Sequence, residues 1–165
     1  MRAVVICLAL LLSACGFHLR GAYTLPYESL YIDLPDNSVL GAGLKRQIRA
    51  SGGTRMPELK EEAQAIFLQI TELRERQILS LSTSGRVREV RLRFRFAFRV
   101  VDPKGRDLVP TTGIELTRDL TYDDSAILAK DQEEQLLWRD MESDLVQQVL
   151  RRLSTIKPLK PEDAQ

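Results

Sequence analysis

Residues 90–100 read VRLRFRFAFRV. Val90, Leu92, Phe94, Phe96, Phe98 and Val100 take the even positions, and Arg91, Arg93, Arg95, Ala97 and Arg99 the odd ones. Successive side chains of an extended strand point to opposite faces, so this stretch is a strand with one apolar face and one arginine face. A helix is excluded, because a step of about 100° per residue would scatter the phenylalanines around the axis. Such a strand needs a core on one side, and its neighbours in the chain supply it.

Asp102, Pro103, Lys104 and Gly105 follow, with proline early and glycine late, a composition that closes a hairpin. The return strand is expected over residues 107–122, with Pro110 and Gly113 marking a break or a sheet edge. Upstream, residues 65–73 (AIFLQITEL) read as a strand apolar enough to lie centrally, with a polar end running to Ser80. Residues 80–85 (SLSTSG) form a small-residue loop. Residues 29–34 (SLYIDL) are a short strand stopped at Pro35. Asp36 or Asn37 can then cap a helix that places Leu40, Leu44 and Ile48 on one face and ends at Gly52 and Gly53.

Asp123, Asp124 and Ser125 can cap a long last helix. Leu137, Met141, Leu145, Val149 and Leu153 recur every four residues along it, with Trp138 beside them, and it stops before Pro158. The order β-α-β-β-β-α predicts an α/β (α+β) two-layer sandwich: a four-stranded, mostly antiparallel sheet packed against two helices.

The N-terminus has its own pattern. Met1 and Arg2 precede an unbroken apolar run at residues 3–12 (AVVICLALLL), the length of a signal-peptide core and about half that of a spanning helix. Leu12, Ser13, Ala14 and Cys15 come next. This resembles the pattern read by the bacterial lipoprotein machinery. The resemblance implies cleavage between Ala14 and Cys15, with lipid on the Cys15 sulfur and on the new amine. The expected division is a signal peptide at 1–14, a lipidated tether at 15–28, a single domain at 29–157 and a flexible polar tail at 158–165.

Composition narrows the chemistry. Without residues 1–14 the chain has 151 residues, enough for one domain with a core. Arg2 leaves with the signal, so 23 basic and 23 acidic side chains remain, which argues against nucleic-acid binding. Cys7 is lost with the signal and Cys15 is committed to lipid, so no thiol is left for a disulfide, a metal or a nucleophile. His18 is the only histidine and lies three residues from the lipid, which leaves no histidine-based triad or zinc site. No catalytic residue, metal or cofactor is expected.

The arginine face carries more charge than solubility asks for, since Arg86, Arg88 and Arg106 lie close by and only Glu89 and Asp102 oppose them. Three kinds of acidic group fit opposite it: carboxylates on neighbouring strands, an acidic wall of a partner protein, or phosphates, which guanidinium binds in a bidentate manner.

Directly after Cys15 the chain reads GFHLRG (residues 16–21), and at the entry to the last helix Ala126, Ile127, Leu128, Ala129, Lys130 and Asp131 (AILAKD), followed by Glu133, Glu134, Met141, Asp144, Arg152 and Leu153. Together with the element order these are similar to LptE, the lipopolysaccharide-assembly lipoproteins of the Gram-negative outer membrane. The resemblance implies a non-enzymatic plug in the lumen of an LptD-type outer-membrane β-barrel, helping that barrel assemble and deliver lipopolysaccharide to the outer leaflet. It implies an anchor in outer-membrane lipid through acylated Cys15, since Gly16 is not the aspartate that retains lipoproteins at the inner membrane. It also implies lipopolysaccharide binding through basic residues. Lys130 is the position carried over. Relatives place a second basic residue in the loop before the long strand; here SLSTSG has none, and Arg86, Arg88, Arg91 and Arg93 are the substitutes. A lipid-anchored periplasmic lipid- or glycan-processing enzyme gathering Asp123, Asp124 and Asp131 is the alternative, as is an accessory lipoprotein of another envelope-assembly machine.

Overall fold

In the computed structural model the described residues are 23–35, 37–122 and 127–156. Cys15, the GFHLRG segment, Asp36, the expected cap at residues 123–125 and the tail at 158–165 lie outside them. Strand β1 (Leu30–Asp33) leads into helix α1 (Val39–Ser51), and a short 3-10 turn (Lys60–Glu62) precedes β2 (Ala65–Leu81). Two long hairpin strands, β3 (Val87–Val101) and β4 (Asp107–Thr121), are followed by helix α2 (Ile127–Thr155). The sheet order is β1-β2-β3-β4. β1 runs parallel to β2, as a crossover through α1 requires, and the other pairs are antiparallel. The predicted two-layer sandwich is what forms.

The alternation in β3 becomes the core. All six even-numbered residues from Val90 to Val100 are between 0 and 2% exposed. They face Leu40, Leu44 and Ile48 of α1 and Met141, Leu145, Val149 and Leu153 of α2, all buried in the same cluster. Phe67 of β2 stacks on Phe98 with ring centroids 5.1 Å apart. Burying one such ring stabilises the fold by about 1.5–3 kcal/mol. The two helices approach closely where Gly43 meets α2: a Cβ there would lie 2.9 Å from Val146 Cγ2.

Two details differ from the sequence reading, and a third decides between a break and a sheet edge in favour of the edge. The cap of α1 is Ser38, not Asp36 or Asn37. The Ser38 N–H donates to the Pro35 carbonyl in a turn, and its Oγ accepts from the Gly41 N–H at 3.1 Å, so the helix starts one residue late. It ends as expected, on Gly52 in the left-handed region at φ 70°. β2 extends to Leu81, so the loop shortens to a turn in which the Gly85 N–H donates to the Ser82 carbonyl. Pro110 and Gly113 do not break β4, because β4 is the sheet edge and Pro110 with Thr111 bulges opposite Arg99.

A second bulge organises the rest. Gln69 pairs with Phe98 but Thr71 with Ala97, leaving Ile70 as an extra residue in β2. From there on, Glu72, Arg74, Arg76 and Ile78 share the face of Phe96, Phe94, Leu92 and Val90. Thr71, Leu73, Glu75 and Gln77 share the arginine face.

Candidate functional site

The four arginines of β3 find their acidic groups inside the sheet. Arg91 stands directly across from Asp119 of β4 and binds it in a bidentate manner, Nε to Oδ1 at 2.7 Å and Nη2 to Oδ2 at 2.8 Å. Arg93 lies 3.4 Å from Glu115, Arg95 2.6 Å from Glu75 of β2, and Arg99 3.7 Å from Asp107. The Arg91 guanidinium holds the Asp119 carboxyl below the usual range. Exposed pairs of this kind contribute little individually, about 0.2–1 kcal/mol in general. Their arrangement nevertheless answers where the opposing charge comes from: carboxylates on neighbouring strands face all four arginines.

The opposite face holds a second network that no sequence motif pointed to. Arg74 reaches Glu142 of α2 at 2.7 Å and lies 4.7 Å from the Phe94 ring centroid and 5.9 Å from that of Trp138. Arg76 bonds Glu134 at 3.2 Å and lies over Tyr122 at 5.3 Å, while the Tyr122 hydroxyl donates to the same Glu134 carboxylate. Arg118 pairs with Asp144. Partial burial acts to raise the Glu134 carboxyl, but the hydrogen bonds from Tyr122 and Arg76 outweigh it and leave the group below the usual range. Together these contacts fasten α2, from Glu134 to Asp144, to the far part of the sheet. The signal for them was the charge in residues 72–76, legible only once the bulge at Ile70 set which face those residues take.

Arg86, Arg88 and Lys130 lie on elements that reach the far end of the sheet, here called the tip: the β2–β3 turn, the start of β3 and the start of α2. Arg86 closes the β2–β3 turn, its N–H donating to Ser82 Oγ at 3.1 Å and its carbonyl accepting from the Ser82 N–H at 2.7 Å. The Arg88 carbonyl accepts from the Tyr122 N–H at 2.8 Å, and its exposed side chain enters no salt bridge among the described residues. Lys130 lies in the first turn of α2, one turn before Glu134, with Nζ 2.7 Å from Glu133 Oε2. Tyr122 therefore links the start of β3 at Arg88 to the helix of Lys130. Arg91 and Arg93 lie just below on the outer face.

Of the carboxylates considered for catalysis, Asp131 lines a shallow cleft of about 400 Å³ with Arg76, Tyr122, Glu134, Gln135 and Trp138. Asp123 and Asp124 lie outside the described residues. Among the described residues no cluster of His, Cys, Asp and Glu is placed to hold a metal, and no helix is long and apolar enough to cross a membrane.

Comparison with known proteins decides the family. The family model LptE, lipopolysaccharide-assembly, matches residues 27–153, which span the sheet and both helices. The chain belongs to the LptE family. It is 27% identical over 157 residues to the LPS-assembly lipoprotein LptE of Pectobacterium atrosepticum, covering 93% of this chain and 84% of that protein. An NMR structure of lipoprotein B from Nitrosomonas europaea is 41% identical with a TM-score of 0.72, covering 84% of this chain and 90% of that one. The crystal structure of a minor lipoprotein from Acinetobacter baumannii is 25% identical with a TM-score of 0.67, covering 83% and 99%. The rare lipoprotein B of Shewanella oneidensis is similar at 25% identity and a TM-score of 0.66, covering 77% and 94%. The LptE match extends across the arginine strand, the clamp under α2 and the basic tip.

Proposed function

We propose that this protein is an outer-membrane lipoprotein, acylated at Cys15, that serves as plug and assembly partner of an LptD-type barrel and binds lipopolysaccharide at its tip. The observation that carries the reading is the LptE match over residues 27–153, in a chain that has Lys130, Arg86 and Arg88 on elements reaching one end of the sheet. The work asked of such a protein is mechanical and recognitive, and no catalytic group is required of it. An outer face of paired arginines and carboxylates is polar without a large net charge, which suits the polar interior of a barrel. Phosphates on the lipid offer the tip what guanidinium and ammonium groups bind best. More than one acyl chain on Cys15 makes the anchor stable, at about 0.8 kcal/mol per buried CH₂.

Within this reading Arg88, which enters no salt bridge among the described residues, carries more of the binding than Arg91 and Arg93, whose guanidiniums are engaged by Asp119 and Glu115, and Lys130 exchanges its Glu133 partner for the ligand. Two measurements test it. Pull-down from detergent-solubilised outer membranes, with the partner identified by mass, should recover an LptD-type barrel; a soluble monomer alone sinks the plug reading. Lys130→Ala with Arg88→Ala should weaken lipopolysaccharide binding about tenfold or more at low salt, with a smaller effect at high salt. Equal binding by the variant and the parent rules out the tip.

A further inference from the structure

The tip carries apolar side chains as well as bases. Ten large hydrophobic residues stand exposed among the described residues, and five belong to this one end. Ile78, Leu79 and Leu81 close β2, and Ile127 and Leu128 open α2, with Leu128 80% exposed. The geometry keeps them together. Leu81 pairs with Val87 next to the turn, and Leu79 is the extra residue of a bulge between Ile78, opposite Val90, and Ser80, opposite Glu89. The chain from Tyr122 to Ile127 spans at most about 17 Å, and Tyr122 is bonded to Arg88. Ile127 precedes Glu134 by seven residues and so lies on the same stripe of α2, while Ile78 follows Arg76 by two and shares its face of β2. Arg76 and Glu134 are in contact. The polar clamp therefore continues outward into an apolar rim bordered by Arg86, Arg88 and Lys130.

Clustered apolar surface on an otherwise charged small domain marks a place that something covers. Three bases along the same rim specify what covers it: a ligand that sets anionic groups beside hydrocarbon. We propose that the rim of Ile78, Leu79, Leu81, Ile127 and Leu128 receives acyl chains of the lipopolysaccharide whose phosphates the adjoining bases bind. This rests on the reading of the tip as the lipopolysaccharide site. A purely polar acidic segment makes no use of the exposed leucines, and a purely apolar partner makes none of the three bases.

The test titrates two probes against immobilised full-length protein: intact lipopolysaccharide, and the same molecule stripped of its acyl chains with its phosphates kept. The parent protein should bind the intact form about tenfold more tightly. Leu81→Ser with Leu128→Ser should abolish that preference, bringing the intact form down to the affinity of the stripped one. Leu59→Ser, an equally exposed leucine before β2, should retain it. Lys130→Ala with Arg88→Ala should weaken both probes together. Retention of the preference by the leucine double variant, or equal binding of both probes by the parent, overturns the acyl rim while leaving the basic site standing. Binding of neither probe by the parent overturns both. Circular dichroism of the leucine variant checks that it folds, and Leu128→Ser alone, at a fully exposed helix position, supplies the same comparison if it does not.

Discussion

Where the sheet carries β1, Phe67, Phe96 and Phe98 stack beneath two helices in a cluster of buried apolar side chains. Past the bulge at Ile70 the same β2 runs on beneath α2, and the contacts on its side become Arg74–Glu142 and Arg76–Glu134 laid over Phe94, Trp138 and Tyr122. One sheet is thus joined to one helix by two kinds of force. The near part is held by burial, which is non-directional and involves no charge to screen or titrate. The far part is held partly by ion pairs and ring contacts, which are directional, screened and titratable. The part built on charge is also the part that ends in the basic, apolar-rimmed tip. A ligand-binding end drawn from the less stable portion of a fold is a common arrangement.

The largest effect should come from the near part. Phe96→Ala removes a ring at the centre of the stack and should cost about 3–5 kcal/mol in urea unfolding. A loss below about 1 kcal/mol would mean that the stack is not what joins the layers there. In the far part, Glu134→Gln keeps the shape and weakens both the Arg76 and the Tyr122 bonds, for about 1 kcal/mol. Amide exchange should then quicken in residues 74–78 and at the start of α2 while residues 65–69 stay protected; uniform quickening breaks the distinction between the two parts.

The Glu134 carboxyl titrates lower in the folded chain than in the unfolded one, so the folded state takes up this proton less readily. Its contribution is complete above the unfolded carboxylate value of about 4.3 and is lost as pH falls through the lower, folded value. Amide exchange in the far part should accelerate over that acid range in the parent and show a flatter pH dependence in Glu134→Gln. The smallest effect belongs to the outer face. Arg91→Ala breaks a solvent-accessible pair with Asp119 and should leave the urea midpoint nearly where it is, even though the geometry is bidentate. A clear shift would show that the arginine ladder stabilises the sheet.

Local pattern alone was enough for β3, for the hairpin at Asp102 to Gly105 and for the stripe of α2 from Met141 to Leu153. In each of them the side-chain period or turn composition lies within a few residues, and burial follows from it. The bases of the candidate site were also legible as residues, but not as a place. Lys130 and Arg88 are 42 positions apart in the chain, and their elements are joined by the bond from Tyr122 to Arg88 and the contact of Tyr122 with Glu134.

What the sequence by itself determined is the strand whose alternation names a greasy face and a charged one, and with it the two-layer architecture. Only the tertiary structure decided what each charge faces. Whether Arg91 meets Asp119 depends on the β3–β4 register, and whether Arg74 and Arg76 turn toward α2 depends on one extra residue at Ile70. A shift of one residue moves every side chain beyond it to the other face, and no count of arginines carries that information.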